Sequence, residues 1–165
     1  LYYDILTHEM NEYIYNMYVA DINDIYDIDK TLVRHHTIIT FGIVDSTITN
    51  ELKKTYKHFH YMNYPFPNSN LTVRDTVTQL YYKTHEIFKQ IEQGLLKGDV
   101  VIACYEPNQL SSLIACLYII HKTNMNVKIV LSSLRSKNPD IFSEKFKYKT
   151  LLENISPQNV DFNRK

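Results

Sequence analysis

Val100-Val101-Ile102-Ala103-Cys104-Tyr105-Glu106-Pro107-Asn108-Gln109-Leu110-Ser111-Ser112 is the stretch on which the reading of this chain turns. Asp99 to Cys104 is short and almost wholly apolar, the pattern of a strand at a sheet centre with both faces covered. A cysteine ends it, and five residues separate Cys104 from Leu110. Asn108 to His121 then carries Leu110, Leu113, Ile114, Leu117 and Ile120 at helical spacing. Buried strand, tight loop and apolar helix follow one another directly.

On the N-terminal side, Thr72 opens a long helix and Asp75 completes a capping-box-like pair with it. The apolar stripe of that helix is Val73, Val77, Leu80, Tyr81, Ile87, Phe88, Ile91 and Leu95, and Gly94 and Gly98 mark its end. Pro65 to Asn70 is a loop by turn chemistry. Further back, His58 to Tyr64 reads as a strand, Ser46 to Tyr56 as a short helical turn, and Thr37 to Val44 as a β-branched buried strand. Asp24 to Val33 has the spacing of a short helix with Ile25, Ile28 and Leu32 inward, and Tyr13 to Val19 alternates as a strand. Leu1, Tyr2, Ile5 and Leu6 stand close to helical spacing, so residues 1–11 are expected to form an N-terminal helix.

On the other side, Val127 to Arg135 and Ser143 to Leu152 read as two closing helices, and residues 156–165 as a loose tail. The expected organisation is one α/β domain over residues 12–155, a sheet covered by helices.

The composition excludes several classes. Lysine plus arginine and aspartate plus glutamate number 18 each, which gives no electrostatic case for nucleic-acid or membrane binding. No apolar run approaches the roughly 20 residues of a membrane span, and Leu1-Tyr2-Tyr3-Asp4 is not the start of a signal peptide. Cys104 and Cys116 read as free thiols of a reducing compartment, so an intracellular, cytoplasmic location is expected. His8-Glu9-Met10-Asn11-Glu12 lacks the second histidine of a zinc-protease helix, and neither metal nor cofactor is expected.

The Cys104 stretch resembles the phosphate-binding loop of cysteine-dependent protein phosphatases, in particular the dual-specificity family, whose loop reads His-Cys, five residues, Arg, then Ser or Thr. The resemblance extends from about Glu12 to Leu152. Glu12 to Tyr18 resembles the family's opening strand, Thr37 to Val44 its next strand, and Tyr64-Pro65-Phe66 the start of its general-acid loop. Ser132 to Ile141, with Arg135-Ser136 and Asn138-Pro139, resembles its arginine-serine-x-arginine-proline segment. The fold so implied is a mostly parallel mixed sheet of about four to five strands flanked by helices. Residues 1–6 also resemble the N-terminal helix through which poxvirus members dimerise. Leu1, Tyr2, Ile5 and Leu6 are then the expected dimer interface, and the protein is expected to be virus-encoded and virion-associated. A residue bias towards asparagine, isoleucine, lysine and tyrosine fits an AT-rich viral genome.

Measured against that family, the chemistry is missing. Its reaction needs a thiolate nucleophile, backbone N–H groups around the phosphate, an arginine on two phosphate oxygens and an acid for the leaving group. Cys104 matches the nucleophile, but Ala103 replaces the preceding histidine. In Tyr105-Glu106-Pro107-Asn108-Gln109, Pro107 removes an N–H donor and Glu106 adds a carboxylate where a dianion should sit. Leu110 occupies the arginine position, and Ser111 alone is retained. The general-acid segment offers Asn68, Ser69 and Asn70 but no carboxylic acid. Losing a single transition-state donor costs about 3 kcal/mol elsewhere. The chain is therefore expected to be an inactive, phosphatase-like domain that works by binding a protein, either a second copy of itself or another partner.

Two other functions are open at this stage. An atypical phosphatase on phosphoprotein or RNA 5′-phosphates would need a replacement cation such as Arg74 or Lys83. A phospho-residue reader is disfavoured by Leu110, since nothing at that position grips a dianion. The tyrosines crowded into the first quarter (Tyr2, Tyr3, Tyr13, Tyr15, Tyr18 and Tyr26) serve either packing or a protein contact.

Overall fold

The computed structural model describes residues 2–7, 10, 14, 16–23, 36–42, 45–55, 60–65, 72–105, 110–139, 141–142 and 146–155. Among these residues five strands form one sheet: β1 (Tyr2–Asp4), β2 (Met17–Asp21), β3 (His36–Phe41), β4 (His60–Tyr64) and β5 (Asp99–Cys104), in the order β1-β2-β5-β3-β4. Strands β2, β5, β3 and β4 run parallel, and β1 is added antiparallel at one edge. Among the described residues five helices accompany them: α1 (Ser46–Thr55), α2 (Val73–Lys97), α3 (Leu110–Thr123), α4 (Val127–Lys137) and α5 (Lys149–Glu153). The expected helix-flanked, mostly parallel sheet is the one observed.

Strand β5 occupies the centre because every one of its residues is buried. Val100, Ile102 and Cys104 join the main core together with Met17, Val19, Ile39 and Phe41 of the neighbouring strands. Val101 and Ala103 are buried on the opposite face with Ile38 and Ala20. Residues that share a face at alternate positions, with both faces covered, are what a central parallel strand requires. Helices α2, α3 and α4 close the core with Leu80, Ile87, Phe88, Ile91, Leu113, Leu117, Val130 and Leu134.

The long helix begins as its sequence predicts. The Thr72 hydroxyl accepts from the Asp75 backbone N–H at 3.1 Å and donates to the Asp75 carboxylate at 2.8 Å. Its end differs from expectation. Only Gly98 caps it, at φ 153°, where its N–H donates to the Gly94 carbonyl at 3.0 Å. Gly94 lies inside the helix for another reason. A Cβ there would stand 2.7 Å from both Thr37 Oγ1 and Val100 Cγ2, so the glycine is what lets α2 cross the sheet this closely. Tyr81, placed on the apolar stripe by spacing, instead faces out beside Tyr82.

The N-terminal helix is overturned over the described residues. Tyr2–Asp4 is a strand, paired with Ala20, Val19 and Tyr18. Asp4 turns the chain by accepting from the Leu6 N–H at 2.9 Å, and Ile5 N–H donates to the Met17 carbonyl at 3.3 Å. Long-range pairing wins because three residues carry too little helical propensity to resist it. Ile5 and Leu6 are 0% and 1% exposed, inside the chain's own core, so they are not a dimer surface. Leu1 lies outside the described residues.

Strand β2 starts at Met17 and runs two residues beyond the expected limit, to Asp21. Asn16 precedes it with φ 61°. Ser46–Thr55 is a full helix of 10 residues. The last helix is shorter than expected: α5 covers Lys149–Glu153, and Phe142, Phe146 and Tyr148 stack edge-on ahead of it at 4.8 and 5.7 Å. The helix expected over residues 24–33 and the tail 156–165 lie outside the described residues.

Candidate functional site

Parallel order places the end of β5 at the carboxyl edge of the sheet, where open α/β sheets present their ligands. Cys104 is the last residue of that strand and Leu110 the first of α3. Cys104 as a whole residue is 5% exposed. Its sulfur sits 3.1 Å from the Ser111 hydroxyl, and the Ser111 backbone N–H points at it from 3.4 Å. The sulfur thus stands at a strand end, met by an N–H and a hydroxyl of the first turn of the following helix.

The expected site residues divide by position. Ala103 is fully buried behind the cysteine, Tyr105 is 40% exposed beside it, and Ser111 is buried against the sulfur. Leu110, where the resemblance sets an arginine, is half-buried and packs against the main core. Glu106, Pro107, Asn108 and Gln109 lie outside the described residues, as do Asn68, Ser69 and Asn70 of the general-acid segment. Of the replacement cations considered, Lys83 is held by Glu86 at 3.4 Å on the surface of α2, and Arg74 is exposed near the start of the same helix.

One residue at this edge escapes local sequence reading. Asp21 is the register partner of Cys104 across the β2–β5 pair. Partners in a parallel ladder point to the same face, so Asp21 and Cys104 share the helix-covered side with Val19 and Ile102. The Asp21 carboxylate accepts from the Asn23 N–H at 2.9 Å. Only the pairing of strands distant in sequence brings these two residues together, and no nearby motif signals it.

The second cysteine is a packing residue. Cys116 is fully buried in α3; burial pushes its thiol up, and the charge of Arg135 opposes that shift. Among the described residues no group of three or more His, Cys, Asp or Glu is placed to hold a metal ion. No helix among them is long and apolar enough to cross a membrane.

Sheet order, strand-end cysteine and following helix together define a protein-tyrosine-phosphatase-like fold, and solved structures share it. TpbA of P. aeruginosa superposes with a TM-score of 0.59 at 10% identity, over 88% of this chain and 84% of its own. Tk-PTP in its active form gives a TM-score of 0.57 at 12% identity, over 85% and 93%. The catalytic core of Siw14 gives 0.50 at 9% identity, over 96% and 91%. No family model matches the sequence, and no curated protein matches it.

Proposed function

We propose that the chain is a phosphatase-like domain that has lost phosphate chemistry and works by binding a protein. The observation that carries this reading is Leu110. The first residue of α3 is where the family places the arginine that grips two phosphate oxygens, and here a half-buried aliphatic side chain packs against the core instead. Without that cation a dianion above Cys104 loses its main counter-charge, and the carboxylate of Glu106 adds repulsion in the same loop. The partner is a protein, a second copy included, and its surface is not the buried Ile5–Leu6 segment.

Titration with vanadate tests this reading. Negligible affinity in the millimolar range is expected, and the same affinity for Cys104→Ser. Tight vanadate binding that depends on Cys104 would overturn it.

A second reading rests on the retained geometry. Cys104 keeps its Ser111 contacts, and Asp21 shares its sheet face, so an atypical phosphatase could draw on both. TpbA, of the same fold, has been crystallised with pTyr. Turnover of an aryl phosphate, abolished by Cys104→Ser and reduced by Asp21→Asn, would establish this alternative.

A further inference from the structure

Charge is unevenly distributed along this neutral chain. Between Glu106 and Asp140 there is no aspartate or glutamate, while Lys122, Lys128, Arg135 and Lys137 all fall within that tract. Two of these cations are neutralised from elsewhere: Lys122 by Glu92 at 3.4 Å and Lys137 by Asp4 at 3.5 Å. Lys128 and Arg135 have no carboxylate within ion-pair distance among the described residues.

Those two side chains belong to one surface. Lys128, Leu131, Ser132 and Arg135 stand at i, i+3, i+4 and i+7 of α4, a single helix face about 10 Å long. With Glu153 of α5 they line a groove of about 410 Å³, within the range of small-molecule sites. Glu153 faces Lys149 at 4.0 Å, so the one acid among the described residues of the groove already has a cation beside it. Those described residues present a guanidinium, an ammonium and a hydroxyl around an aliphatic floor, two positive charges against one negative.

We propose that this groove binds a phosphomonoester carrying a small apolar group. Its phosphate would lie between Arg135, Lys128 and the Ser132 hydroxyl, and its apolar part on Leu131. Two cations without carboxylate partners match a dianion better than a monocarboxylate, and arginine offers paired donors to adjacent phosphate oxygens. Among the described residues the groove shares none with the Cys104–Ser111 loop. The assignment therefore holds whether or not that loop is active.

The test is titration of the full chain with phenyl phosphate, followed through backbone amide resonances. Saturable shifts are expected on Val127–Lys137 and Lys149–Glu153. Each of Lys128→Gln and Arg135→Gln should weaken affinity about tenfold, and Lys122→Gln should leave it unchanged. Benzoate should bind at least about tenfold more weakly than phenyl phosphate. Shifts confined to Cys104–Ser111, absence of saturation, or equal affinity for benzoate would each overturn the proposal. Should Arg135→Gln unfold the chain, the exposed Lys128→Gln decides alone, and wild-type affinity in it refutes the site.

Discussion

The Cys104 sulfur lies 3.1 Å from the Ser111 hydroxyl, joining the end of the central strand to the first turn of α3. Leu110, one residue before Ser111, is half-buried and packs against the core. A strand-end sulfur and an aliphatic side chain thus stand at the two ends of the same loop.

Leu110→Arg should strengthen oxyanion binding without raising turnover. A guanidinium at this position adds paired, charge-assisted hydrogen bonds, so vanadate affinity is expected to rise at least about tenfold. Aryl-phosphate hydrolysis should stay at background, because residues 67–72 contain no acid to protonate a leaving group. Efficient hydrolysis by this single variant would mean that another residue, Asp21 foremost, supplies the proton.

The two cysteines should differ in reactivity. Cys116 has no exposed surface and burial raises its thiol, whereas Cys104 keeps a small opening. Iodoacetamide at neutral pH should therefore modify Cys104 first, and Cys116 only through opening of the fold. Peptide mapping by mass spectrometry reads the order; prior labelling of Cys116 would contradict the packing of α3.

Gly94→Ala should destabilise the protein. In an ordinary helix interior the exchange favours alanine by about 1 kcal/mol. Here the new methyl meets the stiff, β-branched Thr37 and Val100 at 2.7 Å. Overpacking of this kind costs about 1–3 kcal/mol, so a lower urea midpoint is expected, and a higher one would show that α2 can lift from the sheet.

Asp99 should make stability fall as pH rises through the carboxylate range. Burial, reinforced by the charge of Asp4, raises its carboxyl above the ordinary 3.8. The folded chain holds this proton more tightly than the unfolded chain, so the stabilisation is complete below the unfolded value and is lost above the folded one. Asp99→Asn should be the more stable protein at neutral pH, with the difference closing below about pH 4. Urea midpoints across pH decide; a pH-independent difference would point to a lost contact instead.

Ile5→Ala should lower stability by about 3 kcal/mol, the expected consequence of emptying a core site, without altering self-association. Ile5 has no exposed surface in the single chain. Light scattering at several concentrations would separate the two effects, and a change of oligomeric state without loss of stability would return this segment to an interface.

Local pattern was enough for the middle of the chain. Val100 to Cys104 is apolar at every position, and a strand so uniform can sit only where both faces are covered. Thr72 and Asp75 satisfy one another within four residues, so the start of α2 needed no tertiary information. The chemical character of Ala103, Pro107 and Leu110 was legible for the same reason: a side chain's chemistry belongs to the residue, wherever it is placed.

The ends of the chain were decided by contacts that sequence does not display. Tyr2–Asp4 became an edge strand because residues some sixteen positions later offered hydrogen bonds, and local spacing carries no record of such a partner. Gly94 read as a helix terminator, yet its role is clearance from Thr37 and Val100, two residues on different strands. Asp21 beside Cys104 and the cationic groove of α4 and α5 likewise exist only through packing. Sequence by itself determined which groups the chain carries and where its strongest elements lie, since both follow from nearest neighbours. Tertiary structure alone decided which of those groups meet, since that depends on the register and crossing of elements far apart in the chain.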